Sequence, residues 1–313
     1  MMNNVGKVKN TGVEISLSTV NVQTKNFYWS TTFSFAKNKN EILELNGGKE
    51  DLIANKWFIG QPIDVIYDYE YAGVCTAEEA KAYATNDAIK TKFIEGEMKL
   101  KDQQQPGEEG YGVIDENDLV VLGHALPKWT GSVTSNMTYK NFDFSFSIYT
   151  KQGGMVESPF MAEFTNYKDR GRNKLKMDYY IPAGTPVLNA DGSGYTLTTE
   201  AHMGAYPYPT NTANNNYGGG IGWGTDKQTT YVGNSYVNNS FVKIKNITLG
   251  YTFPKSWMSK IGVDHLRLYV NVLNPFTFTS YKGFDPEWAE AALNDGTGGP
   301  SSRTYQVGVN LKF

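Results

Sequence analysis

Trp129-Thr130-Gly131-Ser132-Val133-Thr134-Ser135-Asn136-Met137-Thr138-Tyr139 is followed, after Lys140 and Asn141, by Phe142-Asp143-Phe144-Ser145-Phe146-Ser147-Ile148. In the second run Phe142, Phe144, Phe146 and Ile148 alternate with Asn141, Asp143, Ser145 and Ser147. In the first, Trp129, Gly131, Val133, Ser135, Met137 and Tyr139 alternate with Thr130, Ser132, Thr134, Asn136 and Thr138. A period of two marks a strand with two unlike faces. The spacing predicts two antiparallel strands joined at Lys140. Five more segments carry the same period. Val13, Ile15 and Leu17 define one; Phe27, Trp29, Phe33 and Phe35 another. Ile247, Leu249, Tyr251 and Phe253, then Leu266, Leu268, Val270 and Val272, define two more. Tyr305, Val307, Val309, Leu311 and Phe313 define the last.

Composition narrows the function classes. Of 313 residues 40% are hydrophobic and 19% charged, with Gly, Tyr, Asn, Ser and Thr filling the difference. An aromatic share of 14% argues against disorder, because such a chain has the means to bury surface. The net charge of −3 gives no electrostatic footprint for nucleic acid. Cys75 is the only cysteine, so an intramolecular disulfide and a cysteine metal cage are excluded. His124, His202 and His265 lie far apart in sequence, and HExxH, Walker, GxSxG and GxGxxG motifs are absent. No run of about 18 apolar residues offers a membrane helix. The opening residues, Met1 to Lys7, lack an apolar core, so no signal peptide is expected there.

A soluble β-sandwich alternates in the same way. Three features favour a membrane barrel. Short links (Gln23 to Lys25, Lys140, Pro254 to Asp264) alternate with long ones (Ala36 to Lys128, Lys151 to Phe241, Phe276 to Arg303), as in outer-membrane barrels with short periplasmic turns and long outer loops. Trp29, Trp129, Tyr139, Tyr251, Phe253 and Tyr305 flank the apolar stretches, where amphipathic rings meet a membrane boundary. The last alternating segment runs to Phe313.

The residues also resemble a family. Asn10-Thr11-Gly12-Val13-Glu14-Ile15, Phe27-Tyr28-Trp29, Asn38-Lys39-Asn40-Glu41-Ile42, Pro127-Lys128-Trp129-Thr130-Gly131 and Tyr139-Lys140-Asn141-Phe142-Asp143 are similar to stretches of SusC/RagA-type TonB-linked outer-membrane transporters. So are Ser240 to Pro254 and Tyr281-Lys282-Gly283-Phe284-Asp285-Pro286-Glu287. The order of these stretches carries the resemblance, since each alone is common. It implies an all-β antiparallel transmembrane barrel of 22 strands with an N-terminal plug. It also implies TonB-driven import of glycan or peptide oligomers through the bacterial outer membrane, a SusD-like surface lipoprotein as lid, and no enzymatic activity. Seven strands in 313 residues is about 45 residues each, and 22 strands need roughly 980. Residues 1–313 are therefore expected to be the C-terminal part of a barrel, without plug or signal peptide, unable to insert or transport alone. The resemblance further implies that Tyr305, Val307, Val309, Leu311 and Phe313 form the strand read by barrel-assembly machinery. A self-contained small barrel or soluble sandwich that binds carbohydrate at the cell surface is the alternative.

Candidate sites lie in the long links. Tyr206, Tyr208, Tyr217, Trp223 and Tyr231 stand among Gly, Asn and Pro, and such rings suit sugar faces or loop packing. Many relatives carry a calcium loop of EF-hand type near Lys101 to Gly123, which makes Asp102, Asp115, Asn117 and Asp118 candidate Ca²⁺ ligands, with Gln103 to Gly110 interrupting the spacing. No other cofactor is expected. Ile63 to Tyr71 alternates as a strand within the first long link, and Ala77 to Lys92 has the composition of a short surface helix. Asp285 and Glu287 would be the carboxylates of a hydrolase, the weakest reading.

Overall fold

The computed structural model describes residues 6–158, 176–208, 236–289 and 301–313. Strands β1 (Gly6–Gln23) and β2 (Phe27–Leu45) form a long hairpin. The first long connection holds β3 (Val65–Tyr69), β4 (Tyr71–Val74), helix α1 (Ala77–Thr85), β5 (Met98–Leu100) and β6 (Leu119–His124). A second hairpin, β7 (Trp129–Tyr139) and β8 (Phe142–Gln152), turns on Lys140 at φ 52°. The next long connection contains β9 (Met155–Glu157), β10 (Pro186–Leu188), β11 (Tyr195–Leu197) and β12 (Tyr236–Asn238). β13 (Phe241–Thr252), β14 (His265–Thr279) and β15 (Thr304–Lys312) complete the order.

The seven long strands make one antiparallel sheet in the order β1-β2-β7-β8-β13-β14-β15. It is a meander in which each strand pairs with the long strand before it. Among the described strands, β1 and β15 each have one partner, so the sheet keeps two free edges.

Register explains why the alternation mattered. Residues directly opposite one another share a face. Leu17 faces Phe33, Phe33 faces Val133, and Val133 faces Ile148. Further down the strands, Phe144 faces Leu249, Leu249 faces Val270, and Val270 faces Val307. One side is thus apolar from β1 to β15. The other carries Ser18 against Thr32, Thr134 against Ser147, and Thr248 against Asn271, each pair hydrogen-bonded at 3.0 to 3.3 Å.

The apolar side is not covered by another layer among the described residues. Leu249 is 52% exposed and Val307 81%. Water does not tolerate an exposed apolar sheet face of this breadth, so the soluble-sandwich reading, which buries this face, finds no second layer here. Instead, the buried cores lie in the connections. Cys75, Phe93, Met98 and Leu100 form one; Val156, Tyr281 and Ala289 form another.

Several boundaries differ from those read in the sequence. β2 runs on to Leu45 and β14 to Thr279. The segment around Ile63 to Tyr71 is two short strands with different partners, β3 with β6 and β4 with β5, and neither joins the large sheet. The helix stops at Thr85 rather than reaching Lys92. Its start is fixed by a capping box: Thr76 Oγ1 accepts from Glu79 N at 3.1 Å, and Thr76 N donates to Glu79 Oε2 at 3.0 Å.

Candidate functional site

The polar face changes character at the end of the sheet nearest the long connections. Lys243 lies opposite Tyr149 and Thr277. Its ammonium is almost wholly buried and donates to Asp285 Oδ2 at 2.9 Å, Asp285 Oδ1 at 3.2 Å, Ser301 Oγ at 3.2 Å, and Glu287. Lys245 reaches the other oxygen of Glu287 at 2.5 Å. A β-bulge between Ile244 and Asn246 makes this pairing geometry: the extra residue, Lys245, leaves Lys243 on the polar side and keeps both Ile244 and Ile247 on the apolar side.

Burial works against charge on Asp285, but the hydrogen bonds from Lys243, the Glu287 amide and Ser301 outweigh it and hold the carboxyl below its ordinary range. Glu287 is likewise disfavoured by burial and held low overall by Lys243 and Lys245. Two carboxylates kept ionised by two lysines form an anchor. A general acid requires the opposite, a carboxyl whose proton is held more tightly than usual.

Beside this anchor, the connections brace one another into a cap. Tyr71 donates its phenol to Ala205 O at 3.0 Å, Tyr180 to Glu95 Oε1 at 2.9 Å, and Tyr208 N donates to Gly96 O at 3.0 Å. Burial pushes the phenols of Tyr71, Tyr179 and Tyr180 up to about 12. Of the sequence-predicted rings, Tyr206 packs edge-on against Tyr179 at 6.1 Å and against the Val156–Tyr281 core. Tyr208 is 37% exposed at the surface of the same cap. Tyr217, Trp223 and Tyr231 lie outside the described residues.

The acidic segment folds as a tight set of turns. Asp102 accepts from Gln104 N at 2.9 Å and Gly112 N at 2.7 Å. Asp118, fully buried, accepts from Gln103 N at 2.7 Å and Asp115 N at 2.9 Å, while Asp115 accepts from Asn117 N at 2.8 Å. Of the sequence-predicted ligands, Asp102, Asp115 and Asp118 turn carboxylate oxygens onto backbone donors, and Asn117 contributes its backbone N–H to Asp115. Among the described residues no group of three or more His, Cys, Asp or Glu side chains is placed to hold a metal ion.

In β15, Tyr305, Val307, Val309 and Leu311 lie opposite Val272, Val270, Leu268 and Leu266 on the apolar face, with Phe313 just beyond the strand. On the polar face Arg267 grips Asp143 with two hydrogen bonds of 2.9 and 2.6 Å, the fork geometry suited to a carboxylate. Neither this pair nor the role of Lys243 is read from the sequence. The one available signal is two lysines, Lys243 and Lys245, inside an otherwise strand-like run.

A broad antiparallel sheet with one apolar and one polar side, joined by short turns at one end and capped by braced loops at the other, is a section of an outer-membrane-type β-barrel. No protein-family model matches the chain. It is 29% identical over 339 residues to TonB-dependent receptor P3 of Formosa agariphila, covering 99% of this chain and 29% of that protein. It is 27% identical over 321 residues to TonB-dependent receptor SusC of Bacteroides thetaiotaomicron, covering 100% of this chain and 27% of SusC. The solved structure of the RagAB peptide transporter superposes with a TM-score of 0.64 at 22% identity, over 99% of this chain and 30% of that one. The chain is thus similar along its whole length to TonB-dependent receptors, SusC among them, and shares the fold of the RagAB transporter; it spans about 30% of the length of the relatives it matches.

Proposed function

We propose that residues 1–313 are the C-terminal section of an outer-membrane barrel that imports oligomeric nutrients, glycan or peptide, with energy from TonB. The observation that carries this reading is the uncovered apolar face. On β7, ten residue steps separate Trp129 from Tyr139, the aromatic residues at the two ends of the strand. At about 3.4 Å per step and a tilt of about 45°, the face stands about 24 Å tall, close to the ~25 Å apolar band of such barrels. Aromatic rings mark both margins: Phe142 and Tyr251, 4.7 Å apart, at the short-turn end, and Phe35 and Trp129, 5.8 Å apart, at the other.

Long connections then lie outside the cell, and the polar face looks into the lumen. Two free sheet edges are satisfied when further strands of the barrel pair with β1 and β15, since lipid does not tolerate an open edge. In this reading Tyr305 to Phe313 is the strand recognised by barrel-assembly machinery. The loop cap, with Tyr208 at its surface, meets substrate or a SusD-like lipoprotein. No catalytic role is assigned.

The test is uptake. Cells carrying the whole barrel, of which residues 1–313 are the C-terminal section, are expected to accumulate a labelled oligosaccharide or oligopeptide only when TonB is functional. Equal accumulation with and without TonB would sink the importer reading.

A further inference from the structure

β2 leaves β7 after Ala36, and the gap opens a notch of about 280 Å³ in the wall. Its sides are β2 residues 37–40, the turn at 60–62 and the link at 124–128. Three lysines line it, Lys37, Lys39 and Lys128, together with the amides of Asn38 and Asn40 and the ring of His124. No carboxylate lines it. Lys39 is paired with Glu41 at 2.9 Å. The other nearby carboxylate, Asp64, faces the link and accepts from Leu126 N at 2.6 Å. Among the described residues, no ion pair neutralises Lys37 or Lys128.

The position of the notch selects its ligand. Lys37 continues the row Phe33, Phe35 on the apolar side of β2, opposite Val13. The lysines therefore begin where the apolar face ends, beside the Phe35–Trp129 ring pair. At that depth a bilayer presents headgroups, and long basic side chains reach them while their stems stay on apolar surface. The volume falls below the ~300–1,000 Å³ of pockets that enclose a drug-sized ligand, which suits one headgroup rather than an oligomer in transit.

We propose that this notch binds the phosphate of an outer-leaflet glycolipid, held by Lys37, Lys39 and Lys128. The inference rests on the outer-membrane reading above.

The experiment uses the whole barrel that contains residues 1–313, extracted in mild detergent from its own membrane. Binding of a phosphorylated glycolipid and of its dephosphorylated form is titrated by native mass spectrometry, with inorganic phosphate as competitor. Bound phosphorylated lipid is expected to weaken about 100-fold in the K37Q/K39Q/K128Q variant, and to be unchanged in K140Q at the opposite end of the sheet. Folding of each variant is checked by heat-modifiable migration. Undiminished binding by the folded triple variant, or equal binding of the dephosphorylated lipid, overturns the proposal. Displacement by inorganic phosphate at lipid-equivalent concentration also overturns it, because the notch would then be a site for a free anion. A protein washed off its membrane by alkaline carbonate refutes the outer-membrane reading itself. One that stays in the membrane but ignores the lysine changes refutes the glycolipid site alone.

Discussion

Lys243 Nζ lies 2.9 Å from Asp285 Oδ2, and the two side chains are only 1% and 5% exposed. The pair joins the large sheet to the connection that follows β14, with Glu287 as a second carboxylate on the same ammonium. Removing one member of a buried pair leaves an uncompensated charge and costs about 3–5 kcal/mol. Lys243→Met is therefore expected to release the segment around Asp285 while the sheet stays paired. Limited proteolysis should show new cleavage there without loss of heat-modifiable migration. Replacing Asp285 and Glu287 by Asn and Gln as well should restore protection in part. An unchanged digestion pattern for Lys243→Met would contradict the anchor.

Acid should loosen the same anchor. Both carboxyls are held below their ordinary range in the folded protein. A depressed folded pKa adds stability that is fully present above the unfolded value and is lost as pH falls through the folded one. Protection of the 281–289 segment should hold from neutral pH down to about pH 5 and fail below about pH 4. Loss of protection between about pH 6 and 8 would point to a histidine instead.

The long strands are legible because seven segments keep a strict period of two, and the structure returns all seven with their apolar residues on one side. What escapes is where parity breaks. The bulge at Lys245 inverts the alternation, so the first residues of β13 look irregular although Phe241 and Lys243 are both buried. Past Ala36, β2 no longer pairs with β7, and Ile42 is buried against the turn at residues 60–61, so its part of the pattern reads as noise. The anchor itself joins residues 42 apart, Lys243 and Asp285, and local spacing carries no sign of it. Tyr206 is named in the sequence for its ring, but only the packed cap shows that the ring faces Tyr179.

Gly250 is the narrow point beneath the Asp143–Arg267 pair. It lies directly opposite Asp143 on one side and Tyr269 on the other. A Cβ there would collide with both Asp143 oxygens and Arg267 Nη2. Gly308 gives the same clearance to the ring of Tyr269, whose own face carries the Arg267 guanidinium 4.8 Å from its centroid. Gly250→Val is expected to break the bidentate pair and destabilise the sheet by about 1–3 kcal/mol, read as a lower temperature for the heat-modifiable transition. Gly250→Val with Asp143→Ala should lose less than the sum of the two single changes. Full additivity would mean that glycine is not there to make room for the pair.

Leu249 and Thr248 are neighbours in β13 that point to opposite sides, Leu249 facing Val270 and Thr248 facing Asn271. If the apolar side is lipid-facing, the two positions report different solvents. Burial pushes the Cys75 thiol above its ordinary pKa and shields it from reagents, so within residues 1–313 a single added cysteine can be labelled against a quiet background. A fluorophore on Leu249→Cys is expected to be quenched several-fold by brominated acyl chains in reconstituted membranes. On Thr248→Cys it should respond to a water-soluble quencher instead. Leu249→Arg, one side-chain row in from the Phe142–Tyr251 margin, should cost about 1–2 kcal/mol, between the interfacial and midplane figures for a cation on the lipid side of a barrel, whereas Thr248→Arg falls on the wet side and should cost far less. Equal quenching at the two positions, or equal loss with the two arginines, would mean that both faces of the sheet are packed against protein, and the barrel reading would fail at its foundation.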